Sequence, residues 1–150
     1  MRVCFSGTFN VLHQGHKHLI EKAFQIAGKN GIVLIGVTEG EMLKKKKFVK
    51  PVLERVNTLK KYIISKGYEN RAVIKIIYDI YGPTINGEYD AIIVSPETAF
   101  NAKEINKKRI ISGKKPLKII KIPFVLAEDN KPISSTRIID KEIDENGKIL

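Results

Sequence analysis

The sequence predicts a single-domain α/β fold whose core is a doubly wound, parallel sheet of five strands. Short runs of β-branched residues alternate along the whole chain with longer segments of helical period, which is typical of right-handed crossovers between parallel strands. The length of 150 residues fits one domain, and the chain has neither an internal repeat nor an interior linker. A domain of this length can bury one sizeable core, and hydrophobic residues, which make up 43% of the chain, indicate a globular rather than a disordered protein.

The first half of the chain is predicted to supply two strands and two helices. Residues 2–6 are expected to form the first strand, and apolar residues at helical spacing predict a helix over 15–29. Residues 32–38 are almost all apolar, as expected for a strand that is covered on both faces. Pro51 can open the second helix, whose apolar residues recur at helical spacing until Gly67 ends it.

The second half continues the same alternation. Residues 71–78 and 90–95 are predicted as the third and fourth strands, and residues 96–111 as a helix. A fifth strand over 117–122 is followed by a short helix from Ser134 to about residue 139.

The tail and the strand ends complete the prediction. Residues 140–150 are polar and are expected to be frayed.

In doubly wound sheets, ligands bind beyond the carboxyl ends of the strands, near the point where the strand order reverses. The loops after strands one, two, four and five are therefore the expected places for a functional site.

The chain is strongly basic, with 27 Lys and Arg against 16 Asp and Glu and a net charge of +11. Such an excess suits nucleic acid, an anionic membrane surface or a polyanionic small substrate, and composition alone does not choose among them. No apolar run approaches the roughly 18 residues of a membrane span, and the N-terminal apolar stretch is too short for a signal peptide. Cys4, the only cysteine, can form neither an internal disulfide nor a zinc framework. We therefore expect a cytoplasmic protein without a membrane partner, with Cys4 in its core.

All three histidines lie within six residues, after the first strand: His13, His16 and His18. Gly7 permits a tight turn before them, and Gly15 lies where a helix begins, whose free N–H groups favour phosphate. His16 and His18 point about 200° apart on a helix, so they cannot face one metal ion, and no protein metal site is expected. His13 and His16 can share a face. The pattern predicts phosphate binding by these two and a structural or solvent-facing role for His18.

Two boxes at opposite ends of the chain resemble a known superfamily. The segment from Gly7 to Asn10 (GTFN), followed by HQGH over residues 13–16, resembles the GTFD…HxGH signature of nucleotidyltransferases. Residues 133–138 (ISSTRI) resemble the ISSTxI box of the same superfamily. The chain departs from the signature at Asn10, where the family usually has Asp, but it keeps the Gly7-Thr8 turn.

Three further segments narrow the resemblance to the archaeal phosphopantetheine adenylyltransferases, over nearly the whole chain. They are residues 79–84 (DIYGPT), 94–98 (VSPET) and 122–129, which continues into the second box. The resemblance implies the Rossmann-like nucleotidyltransferase fold.

The resemblance also implies a reaction and roles for particular residues. An adenylyl group would pass from ATP to 4′-phosphopantetheine by direct in-line attack, giving dephospho-coenzyme A and pyrophosphate without a covalent enzyme intermediate. His16 is expected to donate to the α-phosphate and Lys46, or Lys47 if the register shifts, to bridge the phosphates of the two substrates. Thr8 is expected to contact the acceptor phosphate, and Phe9 to pack near the nucleotide. The residues expected to bind ATP are Gly7, Thr8, Phe9, His13, Gly15, His16, Ser134, Ser135, Thr136 and Arg137. Mg²⁺ is expected with ATP, held mainly by its phosphates.

Two of these groups also have a plain structural interpretation. Ser134–Thr136 fits an ordinary N-cap, although one hydroxyl can cap the helix while the others bind phosphate and Arg137 adds a cation. The run Lys44–Lys47 fits a solvated basic face, which is the preferred interpretation for Lys44 and Lys45. The loop that carries the run follows the second strand, so it is nevertheless expected to face the same crevice as the histidines.

Two other functions stay open. A nicotinamide-mononucleotide adenylyltransferase or a cytidylyltransferase fits the box near Ser134 equally well. A basic nucleic-acid-binding domain would explain the net charge and the lysine run, but not the histidines and glycines at the end of one strand, so no nucleic-acid partner is expected. The sequence does not predict an oligomeric state.

Overall fold

The computed structural model describes the whole chain, residues 1–150. A sheet of five strands carries helices on both faces, which confirms the predicted α/β architecture. The strands are β1 (Arg2–Gly7), β2 (Ile32–Thr38), β3 (Ala72–Ile77), β4 (Ala91–Val94) and β5 (Lys118–Lys121). The helices are α1 (Gln14–Ala27), α2 (Val52–Ser65), α3 (Ala99–Ile111) and α4 (Ser135–Ile139). None of them has the length and the apolar character that a membrane crossing requires.

All strand pairs are parallel, and the strand order is β3-β2-β1-β4-β5. The chain moves outward from β1 through β2 to β3 and then crosses to β4 on the other side of β1. The strand order therefore reverses between β1 and β4. A ligand is expected beyond the carboxyl ends of these two strands.

Alternate residues of β1 face two different helical layers. Val3 and Phe5 lie in the core with α1 and α2, whereas Cys4 lies in the core with α3. Both faces of the sheet are thus covered, which explains the continuous apolar run of β2. Burial raises the pKa of the Cys4 thiol to about 12. As predicted, this cysteine is a core residue.

The start of α3 differs from the prediction by three residues. Pro96 can open a helix, but the Ser95 backbone N–H donates to Thr98 Oγ1 at 3.0 Å, and the Thr98 N–H donates to the Ser95 carbonyl at 3.1 Å. These bonds close a turn around Pro96, so the helix begins at Ala99. The loop that contains this turn therefore follows the carboxyl end of β4 directly.

Residues 140–150, expected to be frayed, are packed onto the domain instead. Ile143 is fully buried against Ile133. The backbone N–H of Gln14, the first residue of α1, donates to the Glu145 carbonyl at 3.0 Å. The tail is mostly polar, but the buried side chain of Ile143 and several backbone hydrogen bonds hold it against the domain.

Candidate active site

A large open crevice lies beyond the carboxyl ends of the strands, where the strand order reverses. Its volume is about 710 Å³, within the range of small-molecule and cofactor sites. The loops after β1, β2, β4 and β5 line it, and these are the four loops that the sequence predicts. The start of α1, residues 133–136 and residues 139–140 complete the wall.

His13 and His16 fix each other at the start of α1. His13 Nδ1 accepts a hydrogen bond from the His16 backbone N–H at 3.3 Å, and His16 Nδ1 accepts one from the His13 backbone N–H at 3.4 Å. The two rings stack with their centroids 3.7 Å apart. Because each Nδ1 is an acceptor, a neutral ring carries its proton on Nε2. Both residues line the crevice, so we expect their Nε2–H groups to be its hydrogen-bond donors.

The surroundings of both histidines favour the neutral form. Burial lowers the pKa of His13 to about 4. Burial first, then the charges of His13 and Lys46, lower the pKa of His16 to about 3, against an opposing effect of the Val11 carbonyl. An efficient general acid or base has a pKa near the working pH. The pair is therefore suited to donating fixed hydrogen bonds rather than to exchanging protons.

Two glycines make room for the aromatic rings of the site. A Cβ atom on Gly15 would lie 2.8 Å from the His13 ring, and one on Gly7 would lie 3.0 Å from the Phe9 ring. Phe9 is buried in a left-handed conformation, with φ of 52°, and its ring centroid is 4.9 Å from that of His16. Phe9 thus lines the crevice and also supports the ring of His16.

The segment Ser134–Thr136 reaches the crevice from the other end of the chain. Ser135 Oγ accepts from the Val11 N–H at 3.1 Å and donates to the Val11 carbonyl at 3.2 Å, which fastens the segment to the histidine loop across 124 residues. Ser134 caps α4 by accepting from the Arg137 backbone N–H at 3.2 Å. Thr136 is exposed in the crevice wall. The two segments expected to bind ATP therefore lie side by side.

The Arg137 guanidinium is engaged outside the crevice, which differs from its expected place beside ATP. It pairs with Asp129 and Glu142 and donates to the Pro132 carbonyl at 3.1 Å. Its bonds to Asp129 and then Glu142 raise the pKa of Arg137. Arg137 is absent from the crevice wall. Its charge holds the loop before α4 and the tail after it.

The lysine run divides into two parts. Lys45, Lys46 and Lys47 line the crevice, whereas Lys44 lies outside the wall and pairs with Glu41 at 2.6 Å. Lys46 lies near enough to His16 for its charge to lower the pKa of that ring. This proximity suits the bridging position expected of Lys46. Lys44 is the solvated lysine that the sequence predicts, and Lys45 takes a place in the wall instead.

Asn10 connects the histidine loop to the segment that carries the lysines, a role that the sequence alone does not indicate. It is 6% exposed. Its Nδ2 donates to the Phe48 carbonyl at 2.7 Å, and its Oδ1 accepts from the Lys50 N–H at 2.8 Å. Asn10 stands where the family usually has Asp, and this departure was the signal available in the sequence.

Arg55 of α2 is a second residue that sequence analysis did not assign. It is 1% exposed and pairs with Glu39 at 3.3 Å. Its other bonds go to three carbonyl groups at 2.8–2.9 Å, those of Thr8, Thr38 and Lys50. Arg55 thereby joins the loops after β1 and β2. An arginine within the apolar stripe of a helix is the sequence signal that would have found it.

A smaller cavity of about 170 Å³ adjoins the crevice, and Thr8 belongs to the wall of both. The smaller cavity is lined mainly by apolar groups and includes residues 80–84, whose part in the site the sequence alone did not reveal. The buried Arg109 donates to the Thr84 carbonyl at 2.6 Å and fixes this loop against α3. The candidate site thus has one polar and one apolar compartment.

Comparison with known proteins identifies the class. The chain matches the cytidylyltransferase-like family over residues 4–141. A crystal structure of a protein with unknown function from Archaeoglobus fulgidus superposes with a TM-score of 0.72 at 36% identity, covering 81% of this chain and 89% of that one. The chain is a nucleotidyltransferase of the cytidylyltransferase-like family.

Named relatives narrow this class. The chain is 48% identical to the phosphopantetheine adenylyltransferase of Methanosarcina mazei, over 99% of this chain and 96% of the relative. It is 41% identical to the phosphopantetheine adenylyltransferase of Archaeoglobus fulgidus, over 100% of both chains. The chain belongs to the archaeal phosphopantetheine adenylyltransferases, which confirms the family that its motifs indicate.

Proposed function

We propose that the chain transfers the adenylyl group of ATP to 4′-phosphopantetheine and releases dephospho-coenzyme A and pyrophosphate. The observation that carries this proposal is the wall at Thr8, which lies between a crevice with two fixed N–H donors and an apolar cavity. ATP is anionic along its phosphate chain, whereas the acceptor joins one phosphate to a long uncharged arm. The charged phosphates therefore suit the polar crevice, and the uncharged arm suits the apolar cavity.

The chemistry is an in-line displacement at phosphorus. An oxygen of the acceptor phosphate attacks the α-phosphorus, the bond to the bridging oxygen breaks, and its electron pair leaves with pyrophosphate. ATP carries about four negative charges and the acceptor phosphate about two, so repulsion and alignment dominate the barrier. Fixed donors lower this barrier without a covalent intermediate.

Each residue then has a defined task. His16 Nε2–H donates to an α-phosphate oxygen as its negative charge grows. His13 Nε2–H and the Ser134–Thr136 segment hold the β- and γ-phosphates. The Thr8 hydroxyl contacts the acceptor phosphate, and Lys46 neutralises the charge between the acceptor and the α-phosphate.

The smaller cavity takes the pantetheine arm in this proposal. Its wall continues directly from Thr8, where the acceptor phosphate is bound, and leads to Tyr81 and Pro83. Arg109 holds their loop in place through the Thr84 carbonyl. An uncharged arm would displace water from largely apolar walls, which favours binding.

Mg²⁺ accompanies ATP in this proposal. The structure contains no group of three or more His, Cys, Asp or Glu side chains placed to hold a metal ion. The ion would therefore be held mainly by the phosphates, and it would neutralise part of their charge. The tasks above are those of the chain's own residues.

An acceptor screen tests the proposed function. The chain is incubated with each nucleoside triphosphate and a panel of acceptor phosphates, and pyrophosphate release is measured. ATP with 4′-phosphopantetheine should yield equal amounts of pyrophosphate and dephospho-coenzyme A. Pantetheine, which keeps the arm but lacks the attacking phosphate, is the matched control and should yield none. Release only with nicotinamide mononucleotide or a cytidylyl acceptor would reject the proposal.

A further inference from the structure

We propose that Asn10 is a positioning residue for adenylyl transfer, because its amide holds the lysine segment (residues 44–50) so that Lys46 stands over the crevice. The inference rests on the function proposed above. Asn10 lies in the wall of the crevice, but both polar atoms of its amide are bonded to the lysine segment, so its effect on the reaction is expected to pass through the lysine.

The backbone of residues 47–50 is anchored by side chains rather than by other backbone groups. Asn10 forms two of these bonds, to the Phe48 carbonyl and the Lys50 N–H, and Arg55 forms the third, to the Lys50 carbonyl. Phe48 is 58% exposed, and Lys46 and Lys47 are exposed as well, so packing of these three side chains adds little. Two of the three anchors of this segment therefore depend on one amide.

Only a side chain that both donates and accepts satisfies both bonds of Asn10. An ionised aspartate could accept from the Lys50 N–H, but it has no hydrogen to give to the Phe48 carbonyl. Asn10 is also buried, so water cannot readily replace a lost bond. The amide is thus matched to this segment in a way that a carboxylate is not.

The position of Asn10 in the chain explains how it affects the reaction. It belongs to the same loop as Thr8 and His13, which contact the acceptor and ATP phosphates in the proposed function. A bond from this loop to the lysine segment sets the distance between Lys46 and those phosphates. A charged contact contributes more to the transition state when its geometry is fixed in advance.

Double-mutant cycles test whether Asn10 acts through the lysine. In the parent chain, Asn10→Ala should lower kcat/KM about tenfold, mainly through kcat. In a Lys46→Ala background the same substitution should lower it by less than about twofold, because the group that Asn10 positions is gone. In a Lys44→Ala background the full effect should persist, since Lys44 lies outside the crevice. Coupling to Lys47 in place of Lys46 would support the same inference with the register moved by one.

Asn10→Asp is the second variant, and it carries the test if Asn10→Ala does not fold. It is nearly isosteric and keeps the acceptor for Lys50, so its loss of kcat/KM should be smaller, about threefold. Hydrogen exchange gives a readout independent of activity. The Lys50 amide should exchange faster in Asn10→Ala than in Asn10→Asp, because only the latter retains its acceptor.

Two results would overturn the inference. Equal losses in every lysine background would mean that Asn10 supports the fold alone, and full activity in both Asn10 variants would mean that the bonds do not matter. If the parent releases no pyrophosphate from ATP and 4′-phosphopantetheine, the proposed function fails instead. The exchange rates of the Lys50 amide then still decide whether the amide of Asn10 holds the segment.

Discussion

At the scale of single residues, the site relies on neutral donors that the backbone itself orients. The usual N-cap is a short polar side chain, but His13 is the N-cap of α1. The His16 side chain, three residues later, accepts a hydrogen bond from the His13 backbone N–H and so completes a capping box. Each neutral ring is thereby fixed in the tautomer that is protonated on Nε2. The same two hydrogen bonds stabilise the helix start and leave Nε2 as the proton-bearing atom of each neutral ring.

The first prediction concerns His16 and the transition state. His16→Ala should lower kcat by about 10²–10³-fold, which is typical of losing one fixed donor to a developing negative charge. The dissociation constant of ATP should change little, because the donated bond strengthens only as the reaction proceeds. Single-turnover and equilibrium binding measurements separate these effects. Normal turnover with weaker ATP binding would assign His16 to ground-state binding instead.

The second prediction concerns stability against pH. The pKa values of His13 and His16 in the folded chain, about 4 and about 3, lie below the ordinary value of about 6.5. As the pH falls below about 6.5, the unfolded chain binds protons at these rings and the folded chain does not, so the free energy of unfolding decreases. From pH 7.5 to 5 the loss should be about 2 kcal/mol per histidine.

Urea unfolding at several pH values measures this loss. His13→Asn is the control, because asparagine keeps an N-cap acceptor but does not titrate. Its unfolding free energy should fall less steeply between pH 7 and pH 5 than that of the parent. Identical slopes would contradict the argument.

The residues themselves show where sequence analysis stopped. The three-residue spacing of His13 and His16 was sufficient to place them on one face. Their mutual capping was not predictable, because it depends on the backbone geometry at the helix start. The role of Asn10 was hidden for the same reason: its partners are the backbone groups of Phe48 and Lys50, and backbone partners leave no pattern in a sequence.

At the scale of elements, two segments without regular structure complete the site. The lysine segment adds charge to the crevice, and residues 140–150 brace the start of α1. The strands and long helices were predictable to within a few residues because their apolar periodicity records which face is buried. The packing of the tail was not predictable, because a single buried apolar residue among polar ones forms no periodic pattern.

The third prediction separates the members of the lysine run. Lys46→Ala should lower kcat/KM at least about tenfold, because a fixed bridging charge is local and worth more in a crevice than in open solvent. Lys44→Ala should remain within a few-fold of the parent, since Lys44 pairs with Glu41 outside the crevice wall. Four single variants assayed at moderate salt give the comparison. Four similar small losses would mean that the run is a solvated basic face, and a large loss at Lys47 alone would move the bridge by one residue.

The fourth prediction concerns the tail. Ile143→Ala removes a fully buried side chain and should lower the free energy of unfolding by about 2–4 kcal/mol. Ile149→Ala is the matched control: Ile149 pairs with Ile143 through the backbone, but its side chain is 57% exposed, so its loss should stay within about 0.5 kcal/mol. Chemical denaturation of both variants provides the values. Equal small effects would return the tail to a frayed segment.

At the scale of the whole molecule, the sheet topology decides where the site lies. The reversal of strand order between β1 and β4 opens the crevice, and the doubly wound sheet predicted from the sequence includes such a reversal. Periodicity could not reveal the second, apolar cavity, because its walls come from loops and helix faces that meet only in three dimensions. The net charge of +11 favours the approach of anions to the molecule, and three lysines of the run lie in the crevice wall.

The fifth prediction uses salt to separate attraction of ATP from binding of nucleic acid. Raising the salt concentration from about 0.05 M to about 0.5 M shortens the screening length from roughly 14 Å to roughly 4 Å. The value of kcat/KM for ATP should then fall several-fold, because encounter depends on long-range attraction, while kcat should change little, because the contacts in the crevice are shorter than either length. Steady-state assays at saturating acceptor give both constants, and duplex DNA binding is measured in parallel.

A nucleic-acid-binding domain would behave differently: its DNA affinity would be high and would fall steeply with salt, while kcat/KM for ATP would show no such dependence. That outcome would assign the basic surface to nucleic acid rather than to the substrates of the crevice.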